Sequence, residues 1–456
     1  MTTSHADLPL VLDRLTGPPL ASQLTGQLRD AVTSGVLLAG ERLPSTRELA
    51  ATLGVSRTVV TAAYAQLFAE GWLEGRHGSG TYVSDVAPAL PCLSASGTPV
   101  PASTSPPAPD SDLIEMRAGI PWAAGIDTAM WRRAWRHAGT RVPSFFPGPY
   151  GLPELRGVLA DYLRRGRGIA VGPDHLLVTR GVAHGLAELS AALVEPGDRV
   201  GVEEPGYPSA REVFRRAGAE VVPCRVDADG VVPDELPGDL RLLYTTPAHQ
   251  YPLGGRLPVA RRQALTSWAR ATGAVIAEDD YDSEFRYDVA PLPALYSMDP
   301  EVVVYLGTTS KTLTPALGVG WLAASPALVR LLAQAREKVS DRVPEPVQHA
   351  LLAMLASGDL ERHIRRMRLE YARRRAALMA LPGLRGDSAG MHVVLELRRP
   401  AADFVAGAAE RGVGLSTVDR FFAGDPVINA VILGYGAISG SQVRRAVTAL
   451  SPLLPA

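Results

Sequence analysis

Apolar positions recur every three or four residues across 20–34, which predicts a helix with one buried face. Ser45-Thr46-Arg47-Glu48 then has the S-x-x-E pattern of a capping box, in which Ser45 and Glu48 satisfy each other's free amides. It predicts a helix over 46–53, stopped at Gly54. Ser56 is the N-cap expected for a further helix over 57–70, with Val59, Val60, Ala63, Tyr64 and Leu67 facing inward. Helix, three-residue turn and helix is helix-turn-helix spacing. Trp72-Leu73-Glu74 and Thr81-Tyr82-Val83 flank the glycine-containing stretch 76–80, so two short strands and a hairpin, a wing, are expected to follow.

Further along, strand-like apolar runs at 176–178, 199–202, 220–222, 242–244, 274–277 and 302–306 alternate with helical stretches such as 155–165, 183–193 and 258–271. That alternation predicts an α/β fold, a mostly parallel sheet with helices on both faces. Between the two patterns, residues 86–112 carry seven prolines among Ala, Ser and Thr and have no periodicity, as expected of an extended linker. The expected organisation is a small module over 10–85, a linker over 86–112 and a large module over 113–456. The large module divides near 345–350 into a large subdomain (150–345) and a small one (350–456).

Composition narrows this picture. A chain of 456 residues with 46% hydrophobic residues and a net charge of −1 fits a multidomain globular protein. No apolar run approaches a membrane span, and the first residues lack a secretory pattern, so a cytoplasmic location is expected. Two cysteines outside any C-x-x-C and histidines without ligand spacing point to no metal. Residues 1–85 hold six arginines against eight acidic residues, less basic than a DNA-binding module usually is. Four of those arginines, Arg42, Arg47, Arg57 and Arg76, nevertheless fall where a winged helix meets DNA. The chain has only two lysines, Lys311 and Lys338, beside 44 arginines. Codon bias explains the scarcity, but an arginine cannot serve as an amine nucleophile.

Ligands of parallel sheets sit at the carboxyl ends of strands. Thr179-Arg180-Gly181-Val182-Ala183-His184 is a glycine turn opening a helix, a phosphate cradle in form, although many such turns bind nothing. Glu278-Asp279-Asp280 follows the run at 274–277; alone, it equally suits a solvated loop. Gly307-Thr308-Thr309-Ser310-Lys311-Thr312 follows the run at 302–306 and lacks the glycines of a Walker A loop, so its lysine suits a Schiff base. Pyridoxal phosphate explains all three, since it needs a phosphate cradle, a carboxylate at its ring nitrogen and a lysine for its aldehyde.

Gly40-Glu41-Arg42-Leu43-Pro44-Ser45-Thr46-Arg47-Glu48-Leu49-Ala50, Gly54-Val55-Ser56-Arg57-Thr58-Val59 and Gly78-Ser79-Gly80-Thr81 resemble the GntR-type winged helix over about 65 residues. By that resemblance Arg42, Arg47, Ser56, Arg57, Thr58, Thr61 and Arg76 would face DNA. Arg57 would read a major-groove base, and His77 and Gly78 of the wing would approach the minor groove or backbone. Glu203-Glu204-Pro205-Gly206-Tyr207-Pro208, Pro247-Ala248-His249-Gln250-Tyr251-Pro252-Leu253-Gly254 and Gly307-Thr308-Thr309-Ser310-Lys311-Thr312-Leu313-Thr314-Pro315 extend the likeness. Together they resemble the MocR/GabR regulators, in which a winged helix-turn-helix is fused to a fold-type I aminotransferase-like domain. The resemblance implies a Schiff base at Lys311, Asp279 at the pyridine nitrogen, Tyr281 at the ring oxygen and Tyr207 stacked on the ring. Val182, Ala183, Thr308 and Ser310 would hold the phosphate. It also implies a head-to-tail homodimer with exchanged DNA-binding modules, and a linker of 27 residues spans up to about 90 Å.

Three positions depart from the family pattern. Gly318 stands where an arginine clamps the phosphate, Phe146 where a tyrosine reaches the partner subunit's phosphate, and Ile432 where an arginine takes a substrate carboxylate. An arginine–anion pair is among the strongest charge-assisted contacts. Weakened cofactor binding and no turnover are therefore expected. The expected function is a DNA-binding transcriptional regulator sensing pyridoxal phosphate or a linked metabolite, as the family's pyridoxine-biosynthesis regulators do. The rival readings are a regulator of another effector with a degenerate pocket, and a true aminotransferase.

Overall fold

The computed structural model describes residues 10–14, 17–76, 80–85, 113–145, 148–289 and 292–454. The predicted linker, 86–112, lies outside them. The chain forms two compact units, 1–109 and 110–456.

In the first unit, helices α1 (Leu20–Thr33), α2 (Thr46–Leu53) and α3 (Arg57–Ala69) precede strands β1 (Leu73–Arg76) and β2 (Gly80–Val83). Leu24 and Leu28, one turn apart on α1, meet Val60, Ala63, Tyr64 and Leu67 of α3 in one core with Trp72 and Val83. Val59, expected inside, is only partly buried. The capping box of α2 is complete: Glu48 N donates to Ser45 Oγ at 3.2 Å and Ser45 N to Glu48 Oε2 at 2.8 Å. Gly54 ends α2 at φ +61°, left-handed backbone that glycine adopts without penalty. Ser56 occupies the N-cap position of α3, but its side chain makes no capping bond, contrary to expectation. β1 and β2 pair antiparallel, Leu73 opposite Val83 and Arg76 opposite Gly80.

The second unit is built on an eight-stranded sheet among the described residues. Its order is Leu176–Thr179, Gly320–Ala323, Val303–Thr308, Val275–Asp280, Leu242–Thr245, Arg199–Glu204, Glu220–Asp227, Gly230–Val231. The five strands from Val303–Thr308 to Glu220–Asp227 pair parallel with one another. Gly320–Ala323 is antiparallel to both neighbours and is absent from the predicted strands. Alternate residues feed two cores, as a strand's period of two requires. Leu176, Val178, Ile276 and Tyr305 go to one face, and Leu177, Ala277, Val304 and Leu306 to the other. A four-stranded antiparallel sheet (Leu384–Arg385, His392–Glu396, Ala430–Gly434, Ser416–Thr417) follows the 20-residue helix Asp359–Leu378. No helix among the described residues is long and apolar enough to cross a membrane.

The sheet corrects one expectation. Glu278, Asp279 and Asp280 do not follow their strand; they are its last three residues, all buried, with Asp279 paired across from Leu306. A solvated loop is excluded there.

Candidate functional site

Three strand ends meet around a cavity of about 320 Å³ lined by Gly181, Val182, Ala183, Tyr207, Asp279, Tyr281, Thr308, Ser310 and Lys311. All eight residues expected to hold the cofactor thus line one cavity. Arg180, Tyr244, Tyr251 and Pro315 also line it and were not singled out from the sequence.

At one end, strand Leu176–Thr179 turns through Gly181 into helix Val182–Leu193. Gly181 has φ +115°, and a Cβ there would sit 3.6 Å from Thr308 Oγ1 and 3.9 Å from Ser310 Oγ, inside the cradle. The first amides of that helix have no intrahelical acceptor and carry the positive end of its dipole. Thr308 Oγ1 donates to Ser310 Oγ at 2.9 Å and accepts from Ser310 N at 3.1 Å. Arg180 pairs with Asp341, which also takes His184 Nε2 at 2.9 Å. Arg180 holds the Asp341 carboxyl well below the usual range. Candidate ligand atoms of His184, Glu188 and Asp341 lie within 4.8 Å of one another, but Arg180 and Arg336 already neutralise the two carboxylates.

The floor is acidic and buried. Tyr244 Oη donates to Asp279 Oδ2 at 2.6 Å, while Asp279 Oδ1 is buried with no hydrogen-bond partner among the described residues. Burial pushes the Asp279 carboxyl up to about 7, against the opposing pull of the Tyr244 bond. Lys311 Nζ donates to Gly119 O at 2.6 Å. Burial lowers the Lys311 pKa, and the Asp279 charge opposes that fall. A buried carboxyl with one idle oxygen and a lysine biased towards its neutral amine fit a cationic ring N–H and an aldehyde, respectively.

Aromatic side chains form the walls. Tyr207 lies 6.4 Å from Tyr244 at 30° and 6.1 Å from Tyr251 at 82° between ring centroids. Tyr281 Oη lies 2.9 Å from His249 Nδ1, and that nitrogen lies 3.0 Å from Asp282 Oδ2. His249 and Tyr251 belong to the 247–254 motif, but nothing in the sequence says that either faces Tyr281.

The departures from the family pattern have physical form. Gly318 sits at φ +61°, where a Cβ would meet no described residue within 4 Å. Ile432 is fully buried in an apolar cluster with Val394, Val418, Phe421, Phe422 and Ala430. Tyr251, a cavity wall, packs against that cluster, 5.2 Å from Phe421. Phe146 lies outside the described residues.

In the first unit, Arg42, Arg47, Ser56, Arg57, Thr58, Thr61 and Arg76 are exposed. Arg57 Nε donates to Thr46 Oγ1 at 3.3 Å, and Thr61 Oγ1 donates to Arg57 O at 2.9 Å. Arg76 is paired with Glu74 at 2.8 Å and Asp85 at 3.5 Å and lies over the Tyr82 ring. His77 and Gly78 lie outside the described residues.

Residues 20–83 match the bacterial regulatory proteins of the gntR family, and residues 124–404 match aminotransferase class I and II. The chain is 38% identical to the HTH-type pyridoxine biosynthesis transcriptional regulator PdxR of Corynebacterium glutamicum, over 96% of this chain and 97% of that protein. It is 34% identical to the probable rhizopine catabolism regulatory protein MocR of Rhizobium meliloti, over 97% of this chain and 95% of that protein. An archaeal alanine:glyoxylate aminotransferase superposes with a TM-score of 0.69 at 26% identity, over 75% of this chain and 90% of that one. The α-aminoadipate aminotransferase LysN of Thermus thermophilus, solved with N-(5'-phosphopyridoxyl)-L-leucine, superposes with a TM-score of 0.66 at 26% identity, over 75% of this chain and 93% of that one.

Proposed function

We propose that this chain, which belongs to the MocR/GabR subfamily of GntR-type transcriptional regulators, senses pyridoxal phosphate through its aminotransferase-like domain and does not turn over amino acids. The observation that carries the reading is the idle, buried Oδ1 of Asp279 in the cavity that Lys311 lines. When bound, the cofactor would supply a protonated ring nitrogen and, separately, an aldehyde able to condense with an amine. Lys311 offers the amine, and its burial favours the neutral, nucleophilic form. Asp279 would hold the ring N–H, which gives the buried Oδ1 a partner beside the Tyr244 bond on Oδ2. Tyr207 covers the ring. The Val182 and Ala183 amides, with Thr308 and Ser310, take the phosphate.

Two residues argue against turnover. Ile432 places a packed methyl where a carboxylate would need a guanidinium, and Gly318 offers the phosphate no side chain. Binding without tight anchoring is the behaviour a sensor needs, because occupancy then follows concentration. In the first unit, Arg47 and Arg57 would contact DNA, and Arg57 would read a base at the start of α3. The PdxR relative is named as a regulator of pyridoxine biosynthesis, which supports a vitamin-linked effector. We take the working unit to be a head-to-tail homodimer.

The test is an absorbance scan of the purified protein with pyridoxal phosphate, repeated on Lys311→Ala. A visible band is expected that the substitution abolishes; a band that survives unchanged removes Lys311 from its role. A gel shift on the upstream region of its own gene, with and without the cofactor, should show retardation that the cofactor alters. No amino donor and keto acid pair should be consumed.

A further inference from the structure

We propose that His249 and Asp282 are positioning residues that hold the Tyr281 hydroxyl as a hydrogen-bond donor into the cavity, so that the pocket selects a ring ligand bearing an anionic oxygen. The ligand half of this proposal rests on the reading of the cavity given above; the side-chain arrangement does not.

Both residues are nearly inaccessible, His249 2% and Asp282 1% exposed. His249 Nδ1 faces two oxygens at once: Tyr281 Oη at 2.9 Å, and Asp282 Oδ2 and Oδ1 at 3.0 and 3.2 Å. A carboxylate only accepts. A bare Nδ1 would therefore oppose lone pair to lone pair across 3.0 Å between two buried side chains, an expensive arrangement. Nδ1 must carry the proton, shared between the carboxylate and the Tyr281 oxygen. Tyr281 then accepts from the histidine, and its own O–H is released towards the cavity that it lines. An acceptor with negative charge on a planar ring is the best match for that donor.

The surroundings leave the arrangement little freedom. A Cβ at Gly390 would lie 2.2 Å from His249 Cε1 and 2.8 Å from Asp282 Oδ2, so backbone closes directly over the pair. Among the described residues His249 Nε2 is buried with no partner, so no second group there competes to set the tautomer. The His392 ring sits 5.3 Å away and gives its Nε2–H to Pro252 O at 2.9 Å. Burial pushes the His392 pKa down to about 3, so it stays neutral. The other titratable groups around Tyr281 are Asp279, Tyr251, Glu203 and Lys311. Burial first, then the charges of Asp282, Asp279 and Glu203, raise the Tyr281 phenol well above its ordinary value and keep it a donor.

The first test needs no ligand. Nitrogen-15 histidine spectra of the full chain, with His249→Asn assigning the signal, should show His249 protonated at Nδ1. A bare Nδ1 with Nε2–H overturns the proposal. The second test titrates the visible band of the cofactor-loaded protein. Without the donor, the ring oxygen becomes more basic and holds the proton of the lysine linkage longer. His249→Leu should raise the apparent pKa of the band by on the order of half a unit. Asp282→Ala should do the same, and it carries the readout if the leucine variant does not fold. His249→Asn keeps an N–H near the Nδ1 position and should track the wild type. An unchanged profile in His249→Leu and Asp282→Ala overturns the proposal. A wild-type protein with the Nδ1–H signal but no band overturns the ring-ligand reading and the selection claimed here, whereas a band with the Nε2 tautomer overturns the relay alone.

Discussion

The ring-facing wall of the cavity and the positions where an anion would be clamped have diverged in opposite directions. On the wall, charge and hydrogen-bonding capacity are kept at high energetic expense: Asp279 is buried with an idle oxygen, Lys311 is half-buried, and Tyr281 is tied to a histidine and a carboxylate. At the clamp positions there is no charge. At Gly318 a Cβ would meet no described residue within 4 Å, and Ile432 has joined an apolar cluster. A protein that merely drifted would lose the costly buried polar groups first, since replacing them with apolar ones is often neutral or stabilising. Here they remain and the clamps do not, which favours recognition of a planar ring over capture of a substrate.

The sharpest way to break this contrast is to put the missing guanidinium back at Ile432. Because Ile432 is fully buried among Val394, Val418 and Phe421, Ile432→Arg is expected to destabilise by about 3–5 kcal/mol. The denaturant midpoint checks this. A variant that folds as well as the parent and gains transaminase activity would show that the position is a vacant substrate site rather than core.

The next effect in size is at Asp279, and it has two opposite signs. Removing the ring nitrogen's partner with Asp279→Asn should weaken pyridoxal phosphate binding by about 10–100-fold, the worth of a charged hydrogen bond. The ligand-free variant should be more stable than the parent. The folded carboxyl is raised to about 7 from an unfolded value near 4, so the parent's stability is full below about pH 4 and is lost as pH rises towards 7. The advantage of Asp279→Asn should therefore grow across pH 4–7 and then level off. Thermal melts at a series of pH values measure it; a constant difference would mean that Asp279 is ionised without strain.

Much of this was legible in the chain, and what was not has a physical reason. The capping box at Ser45 and Glu48 is purely local and formed as read. Lys311, Asp279 and the glycine turn at 181 lie at the ends of strongly apolar runs, so their convergence followed from sheet topology. The strand boundary was misread because Glu278, Asp279 and Asp280 look like loop residues. They are strand because their neighbours supply partners, as when Glu278 accepts from Leu295 N and Tyr296 N at 2.7 and 2.9 Å. Those contacts, the Lys311–Gly119 bond and the Tyr281–His249–Asp282 arrangement join residues far apart in sequence, and no periodicity encodes them. Tyr244 was hidden as one more apolar residue in a buried strand until its hydroxyl met Asp279.

The effect expected at Gly318 is the most informative about why the clamp is absent. Gly318→Arg has room, since a Cβ there meets no described residue within 4 Å. A guanidinium on the phosphate is worth about 1.5–3 kcal/mol, but holding a non-glycine residue at φ +61° costs about 1–2 kcal/mol. The two nearly cancel in the bound protein, and the ligand-free protein bears the strain without that gain. The strain is common to the free and the bound protein and drops out of the affinity, so the variant should bind pyridoxal phosphate about 10–100-fold tighter, with a lower melting temperature before ligand is added. Titration of the visible band and melts at zero and saturating ligand separate the terms. A tenfold or greater gain in affinity with no loss of stability would mean that backbone strain does not keep arginine out of position 318, and that loose anchoring is itself what the sensor requires.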